Sequence, residues 1–215
     1  MEHWDVVVVG GGPAGAAAAL AGRAAGCSVL ILDRADFPRD KVCGDGIAPE
    51  ALDVLAGLGL DPAPLTAGYP AVPRLRLRSP GGATVERDMH RPASVVPRAV
   101  FDSRLLTAAL ATGAEFRRHT VRRLEVLPTH VEVDGALSAA VVIGADGAES
   151  VVRRMTGIVP NRAHQTAIAI RGYAVEPAGM SGVQVILTTE PAQHDLDSWR
   201  QLLAQDQRGT IPAAQ

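Results

Sequence analysis

Cysteine is scarce in this chain, and its scarcity excludes two classes of small protein. The 215 residues include two cysteines, Cys27 and Cys43, which stand too far apart for a C-x-x-C pair. We therefore expect neither a disulfide scaffold nor a zinc site. The histidines show no metal-ligand spacing either; they are His3, His90, His119, His130, His164 and His194.

An excess of basic charge is also missing. The net charge is −2 at pH 7, which gives no electrostatic case for a nucleic-acid partner. The only lysine, Lys41, is followed by valine, so a P-loop is excluded, and no G-x-S-x-G nucleophile elbow occurs. Residues 1–5 lack the basic region of a signal peptide, and the expected location is therefore cytoplasmic.

No apolar run is convincing as a membrane span. Residues 6–22 carry no charge, but Pro13 and five glycines interrupt them and Arg23 follows at once. With 47% apolar residues, a chain of this length can bury about 70% of its unfolded surface. It is therefore expected to fold as one globular domain, or as a domain and a half.

The first 33 residues carry the strongest pattern. Residues 6–9 are four valines, typical of a buried strand, and Gly10, Gly12 and Gly15 then give the G-x-G-x-x-G spacing. An alanine-rich helix and a second strand follow, and Asp33 ends that strand. A strand before the glycines, a helix after them and an acid at the next strand end together predict a dinucleotide site. The weaker alternative is a glycine-rich turn of another α/β protein.

A polar, glycine-broken loop occupies residues 34–46, at the carboxyl end of a parallel strand, where open α/β sheets bind ligands. Cys43 stands next to Gly44, and Gly46 follows two residues later. The small residues would let backbone and thiol approach a cofactor ring. A half-buried cysteine in an ordinary turn is an equally good interpretation.

The middle of the chain alternates between short strands and helices. Residues 48–58 predict a helix, 62–73 a proline-rich linker, 74–88 a hairpin and 100–112 another helix. Arg98 just precedes that last helix, where a side chain could reach a phosphate. Two sets of arginines are more simply interpreted as solvated strand faces than as anion or nucleic-acid patches; they are Arg74, Arg76 and Arg78, and Arg117, Arg118, Arg122 and Arg123.

A second turn resembles the first. Residues 131–143 predict a hairpin whose second strand leads to Asp146 and Gly147. Ser150 is a good cap for a following helix, which is the ordinary explanation of this turn. Because a carboxylate and a glycine again follow a buried strand, we expect Asp33 and Asp146 to belong to one cofactor site.

These motifs together resemble the flavoprotein hydroxylase-type FAD-binding fold, and residues 36–46 are similar to those of the geranylgeranyl reductase family. The resemblance covers residues 4–175. It implies that Ala14 and Gly15 touch the FAD pyrophosphate through backbone N–H groups and that Asp33 binds the adenosine ribose. It further implies the remaining cofactor-binding residues: Arg98 at the phosphates, Val121 at adenine, Asp146 in support, and Cys43, Gly44 and Gly46 near the flavin, beside Gly10 and Gly12 in the turn.

The expected fold class is α/β, a three-layer Rossmann-like FAD-binding domain with part of an inserted β-rich substrate domain. Residues 1–70 and 97–160 are assigned to the FAD-binding domain, and 71–96 and 161–175 to the substrate domain. Residues 176–215 hold six of the seven glutamines and are expected to form a divergent, disordered tail. We expect a truncated or frame-shifted form of a longer protein.

The resemblance implies an oxidoreductase that reduces double bonds of isoprenoid chains, of the geranylgeranyl or menaquinone type, with FAD as cofactor. An apolar small molecule is the expected substrate, NAD(P)H is a candidate reductant, and peripheral contact with the inner face of a membrane is compatible with that substrate. Two alternatives stay open. One is an FAD monooxygenase of an aromatic or polyketide substrate, and the other is an inactive FAD-binding remnant.

Overall fold

The computed structural model describes residues 1–79, 81–159, 173 and 182–187. In chain order its elements are β1 (Glu2–Val9), α1 (Pro13–Ala24), β2 (Val29–Asp33), β3 (Gly46–Ile47), α2 (Pro49–Gly57), α3 (Ala63–Thr66), β4 (Ala71–Arg78), β5 (Thr84–Val95), α4 (Arg98–Ala111), β6 (Glu115–Arg118), β7 (Leu124–Val126), β8 (Val131–Val133), β9 (Leu137–Gly144), α5 (Val151–Met155) and β10 (Val183–Leu187). The chain divides into two units, one of residues 1–69 and 94–173 and the other of residues 70–93 and 174–215.

A six-stranded sheet lies at the centre of the first unit, in the order β6-β2-β1-β9-β8-β7. Neighbours among β6, β2, β1 and β9 run parallel, and β8 and β7 add an antiparallel edge. Val6 in β1 stands opposite Val29 in β2 and Val141 in β9. Because parallel strands need crossover connections, helix α1 links β1 to β2 as the sequence predicts.

Both faces of this sheet are covered. Val6 and Val8 face one core, where they pack with Leu20 of α1 and Leu105 of α4. The alternate residues of β1 face a second core with Val133 and Val152. Alternate side chains of a strand point to opposite faces, so the run of valines is buried on both sides. The expected three-layer α/β fold is confirmed.

The second unit contains β4, residues 84–93 of β5, and β10, with β4 between the other two. β10 runs parallel to β4. Arg74 and Arg76 of β4 both form ion pairs with Glu86 of β5, at 3.2 and 2.6 Å. These pairs support the interpretation of the arginines as one polar strand face, and the Arg76 hydrogen bond holds the pKa of Glu86 below its usual value.

Several local predictions are confirmed at residue level. Gly26 follows α1 with φ of 81° and closes its carboxyl end. The hairpin of β8 and β9 turns through Asp134 and Gly135, whose φ angles are 52° and 67°. Ser150 caps α5 by accepting a hydrogen bond from the Arg153 N–H, which the sequence anticipates.

Other predictions need correction. Arg98 does not precede α4 but is its first residue, because Pro97 already takes the N-cap position and its carbonyl accepts the Phe101 N–H. The expected linker at 62–73 contains the short helix α3 and the start of β4, since prolines are tolerated at a helix start and in an exposed strand. The strand expected at 164–175 lies outside the described residues except for Tyr173. β10 was not predicted.

No helix among the residues that the structure describes is long and apolar enough to cross a membrane.

Candidate functional site

A cavity of about 460 Å³ opens at the carboxyl ends of the parallel strands in the first unit. Gly10 follows β1, Asp33 ends β2 and Asp146 lies just beyond β9, and all three line this cavity. The strands β2, β1 and β9 are neighbours in the sheet, so the three turns meet at one edge. The two acid-and-glycine turns that the sequence assigns to one site are therefore brought together.

The glycine turn is shaped by two close backbone approaches. Gly10 has φ of 107°, and a Cβ there would lie 2.4 Å from the Ala145 carbonyl oxygen. A Cβ on Gly15 would lie 1.8 Å from the Gly10 carbonyl oxygen. Neither position accepts a side chain without movement of the backbone. The turn therefore sets the first turn of α1, with its free N–H groups, directly against the end of β1.

Asp33 is held in place by backbone donors. One carboxylate oxygen accepts the Gly11 N–H at 2.8 Å and the other accepts the Ala35 N–H at 2.9 Å. Each carboxylate oxygen has a second lone pair, so capacity remains for a ligand hydroxyl. The side chain is about one-tenth exposed, on the cavity wall. This geometry fits an acceptor that positions a polar ligand.

Three charged side chains form a cluster beside the turn. Arg98 donates from Nε and Nη2 to the two carboxylate oxygens of Asp102, at 2.6 and 2.7 Å. Arg39 lies 3.5 Å from the same carboxylate and 4.0 Å from that of Asp33. The hydrogen bonds to Asp102 and, less strongly, the neighbouring thiol of Cys43 hold the pKa of Arg98 above its usual value. Arg39 and Arg98 both line the cavity and carry fixed positive charge there.

The loop after β2 is anchored by Asp45, which is buried and has φ of 58°. Its carbonyl accepts the Val96 N–H, and its carboxylate accepts the Arg98 N–H and the Tyr173 hydroxyl. Gly44 and Gly46 flank it, and a Cβ on either would meet no atom of the described residues within 4 Å. Cys43, Gly44 and Gly46 do not line the cavity, and their expected proximity to a flavin stays a prediction.

Asp146 organises the second turn. Its carboxylate accepts the Ser150 hydroxyl and the N–H groups of Val151 and Val152, so it also serves the start of α5. Gly147 has φ of 80°, and a Cβ there would lie 2.9 Å from the Lys41 ammonium nitrogen. Asp146 therefore caps the start of α5 and also lies on the cavity wall.

Val121 also lines the cavity and is buried in the second core. Close to it, Asp134 accepts hydrogen bonds from His119 at 2.6 Å and from the N–H groups of Arg122 and Arg123. Burial raises the pKa of Asp134, but these hydrogen bonds outweigh burial and hold it below its usual value. They fix the segment that carries Val121.

The cavity wall includes seven of the residues that the sequence predicts for the site: Gly10, Gly12, Ala14, Asp33, Arg98, Val121 and Asp146. Gly15 lies behind the wall, where it packs on Gly10. Sequence reasoning missed Arg39, Lys41, Asp45 and Asp102. For Asp102 a signal existed, because it stands three and four residues before Leu105 and Leu106, on the apolar stripe of α4, where an unpaired carboxylate is not tolerated.

Comparison with known proteins supports the cofactor assignment. The sequence profile of the FAD binding domain family matches residues 3–201. The solved structure of halogenase PltM in complex with phloroglucinol and FAD superimposes with a TM-score of 0.62 at 24% identity, over 72% of this chain and 36% of that one. At this identity the likeness shows a shared fold. The family match passes residue 175, so the expectation that the resemblance stops there is wrong.

Two curated relatives are more similar in sequence. Menaquinone reductase of Mycobacterium tuberculosis (strain ATCC 25618 / H37Rv) is 45% identical over 115 residues, which are 51% of this chain and 28% of that protein. Digeranylgeranylglycerophospholipid reductase 1 of Methanopyrus kandleri is 40% identical over 114 residues, 53% of this chain and 29% of that protein. The alignments thus span less than a third of either relative. They confirm the resemblance to the geranylgeranyl reductase family, and the chain belongs to the FAD binding domain family.

Proposed function

We propose that this chain is the cofactor-binding part of an oxidoreductase that reduces double bonds of isoprenoid chains. The observation that carries the cofactor site is the cavity at the carboxyl ends of β1, β2 and β9, whose wall combines a glycine turn with carboxylates and three arginines, Arg34, Arg39 and Arg98. The names of the two reductases above, at 45% and 40% identity, support the isoprenoid class of substrate.

The wall residues fit the parts of FAD. A Cβ on Gly12 would find only the guanidinium nitrogens of Arg39 and Arg98 within 4 Å in the described residues, so backbone and positive charge face one space. We assign that space to the pyrophosphate, held by the N–H groups of Ala14 and Gly15 and by Arg98. A helix N-terminus and a guanidinium both favour an anion.

The other assignments rest on the resemblance to FAD-binding proteins. Asp33 accepts the ribose hydroxyls, the backbone of Val121 contacts adenine, and Asp146 supports the site from the second turn. Cys43, Gly44 and Gly46 lie near the flavin. FAD supplies the hydride chemistry when bound, and the contribution of this chain is to bind the cofactor, orient it and exclude water around its phosphates.

A spectroscopic experiment tests the cofactor site. The purified chain is titrated with FAD, and binding is followed by flavin fluorescence and by the visible spectrum after gel filtration. We expect saturable binding that Arg98→Ala weakens by at least about tenfold, the loss of one charge-assisted hydrogen bond. Arg104→Ala is the matched control, since Arg104 lies on the same helix but donates to the Leu65 and Ala67 carbonyls, away from the cavity. Absence of binding would contradict both the reductase proposal and the monooxygenase alternative for this chain.

Substrate class is tested on the reduced, FAD-loaded chain under anaerobic conditions. Addition of menaquinone or of digeranylgeranylglycerophospholipid should reoxidise the flavin and yield an isoprenoid chain with one double bond fewer. The product is detected as a mass gain of two hydrogens that persists after exposure to air, since reduction of the menaquinone ring alone is reversed by air. Binding of FAD without this turnover would support the inactive FAD-binding remnant. Consumption of NADPH and oxygen triggered by an aromatic compound would support the monooxygenase alternative.

A further inference from the structure

Asp102 is a charged group in an apolar setting. Its side chain is fully buried, on the face of α4 that packs into the first core with Leu105, Leu106 and Ala109. A buried carboxylate is tolerated only if it is paired and its hydrogen-bonding capacity is met. The partners of Asp102 therefore explain why a carboxylate occupies this position.

Those partners are two arginines. Arg98 meets both carboxylate oxygens of Asp102 through Nε and Nη2, at 2.6 and 2.7 Å. Such a paired contact fixes the plane of the guanidinium as well as its position. Nη1 of Arg39 lies 3.5 Å from one of these oxygens. Arg39 also lies over the ring of Phe37, with its guanidinium carbon 4.8 Å from the ring centroid.

The same two guanidinium groups stand at the glycine turn. A Cβ built on Gly12 would lie 3.3 Å from Nη2 of Arg39 and 4.0 Å from Nη2 of Arg98. Gly12 is the N-cap of α1, so both cations lie beside the positive end of that helix dipole. One carboxylate is thus shared by two cations, which leaves the cluster with positive charge directed at the space beside Gly12.

We propose that Asp102 is a positioning residue, which holds Arg98 and Arg39 as a pair of phosphate ligands for the cofactor. Asp102 does not touch the cofactor itself, and it acts through the two arginines. Arg39 becomes a second pyrophosphate ligand beside Arg98. This inference rests on the proposed cofactor site.

A charge effect and a positioning effect of Asp102 predict opposite changes in the Kd of a phosphate ligand. Asp102→Asn removes a negative charge close to the bound anion, and charge alone would then tighten the binding of a phosphate ligand. Positioning predicts the reverse, because an amide can accept from Arg98 through its oxygen but its nitrogen cannot, and the guanidinium loses its fixed plane. We expect the Kd of ADP to rise about tenfold in Asp102→Asn and the Kd of adenosine, which lacks phosphates, to stay unchanged. Isothermal titration calorimetry measures the Kd of ADP, and NMR titration measures the Kd of adenosine.

A double-mutant cycle separates positioning from a general loss of structure. In the Arg39→Ala/Arg98→Ala background, Asp102→Asn should no longer raise the Kd of ADP, because the residues through which it acts are absent. Asp36→Asn removes a charge from the loop that carries Arg39 without touching the cavity, and it should leave the Kd of ADP unchanged. The proposal would be overturned if Asp102→Asn alone tightened ADP binding, if it weakened ADP and adenosine binding equally, or if it still weakened ADP binding in the Arg39→Ala/Arg98→Ala background.

A second measurement on Arg98 applies if the variant does not fold, and the binding of ADP separates this inference from the proposed function. If Asp102→Asn does not fold, the Nε–H resonance of Arg98 in the unaltered chain is followed by ¹⁵N NMR. Slow exchange with water and a shift on ADP addition support the proposal, and a freely rotating, unshifted guanidinium overturns it. If the unaltered chain binds neither FAD nor ADP, the proposed function fails together with this inference. If the unaltered chain binds ADP and Asp102→Asn binds it with the same Kd, only this inference is refuted.

Discussion

Replacing Gly15 with alanine should push helix α1 away from the end of β1. The added Cβ would lie 1.8 Å from the Gly10 carbonyl oxygen, whereas ordinary contact begins at 3.4 Å. The two backbones must therefore separate by about 1.6 Å, the difference between those two distances. Both approaching atoms belong to backbone or to a Cβ, so no side chain can rotate away.

The expected loss of stability is about 1–3 kcal/mol, the usual cost of overpacking, even though alanine itself favours a helix by about 1 kcal/mol over glycine. Urea unfolding followed by circular dichroism measures this change. FAD binding should weaken as well, because α1 carries the N–H groups assigned to the phosphates. The Kd of FAD should rise at least about tenfold.

Gly57 offers a matched control at the carboxyl end of another helix, α2. A Cβ there meets no described atom within 4 Å, and its φ lies outside the left-handed region. Gly57→Ala should therefore stabilise the chain by about 0.4–1 kcal/mol and leave FAD binding unchanged. If Gly15→Ala is as stable as Gly57→Ala and binds FAD equally well, the close approach of α1 to β1 is refuted.

Two further predictions concern the carboxylates of the site. Asp33→Ala should raise the Kd of FAD at least about tenfold in equilibrium dialysis, because a charge-assisted hydrogen bond contributes about 1.5–3 kcal/mol; an unchanged Kd would mean that the turn binds another ligand. The pKa of Asp134 is held below its ordinary value of 3.8 in the folded chain, so its contribution to stability is present above that pH and is lost as the pH falls through the folded pKa. Asparagine tolerates the φ of 52° at this position. Asp134→Asn should therefore lower the urea midpoint at pH 7, and the midpoints of the variant and the unaltered chain should converge in acid. A constant difference between the two midpoints down to about pH 2 would contradict this linkage.

The local sequence was sufficient where short-range geometry decides the outcome. The glycine spacing at Gly10, Gly12 and Gly15 and the valines before it predict the first strand, turn and helix, because each depends on neighbours in the chain. The same holds for the hairpin at Asp134 and Gly135. The start of α4 was predicted two residues too late, at residue 100 instead of Arg98, since helix starts depend on the N-cap, here Pro97.

By itself, the sequence determined the class of fold and the two glycine turns at one edge of the sheet, since these follow from periodicity, from glycine and from acids at strand ends. FAD as the cofactor followed from the resemblance to a known family. The tertiary structure decided which of these charges are buried and which loop reaches them. Arg39 reaches the glycine turn because the loop after β2 folds back over Gly12. Arg98 and Asp102 are neighbours four residues apart on α4, but only the packed chain shows that Asp102 is buried, where an unpaired charge would be costly and where Arg98 meets both of its oxygens.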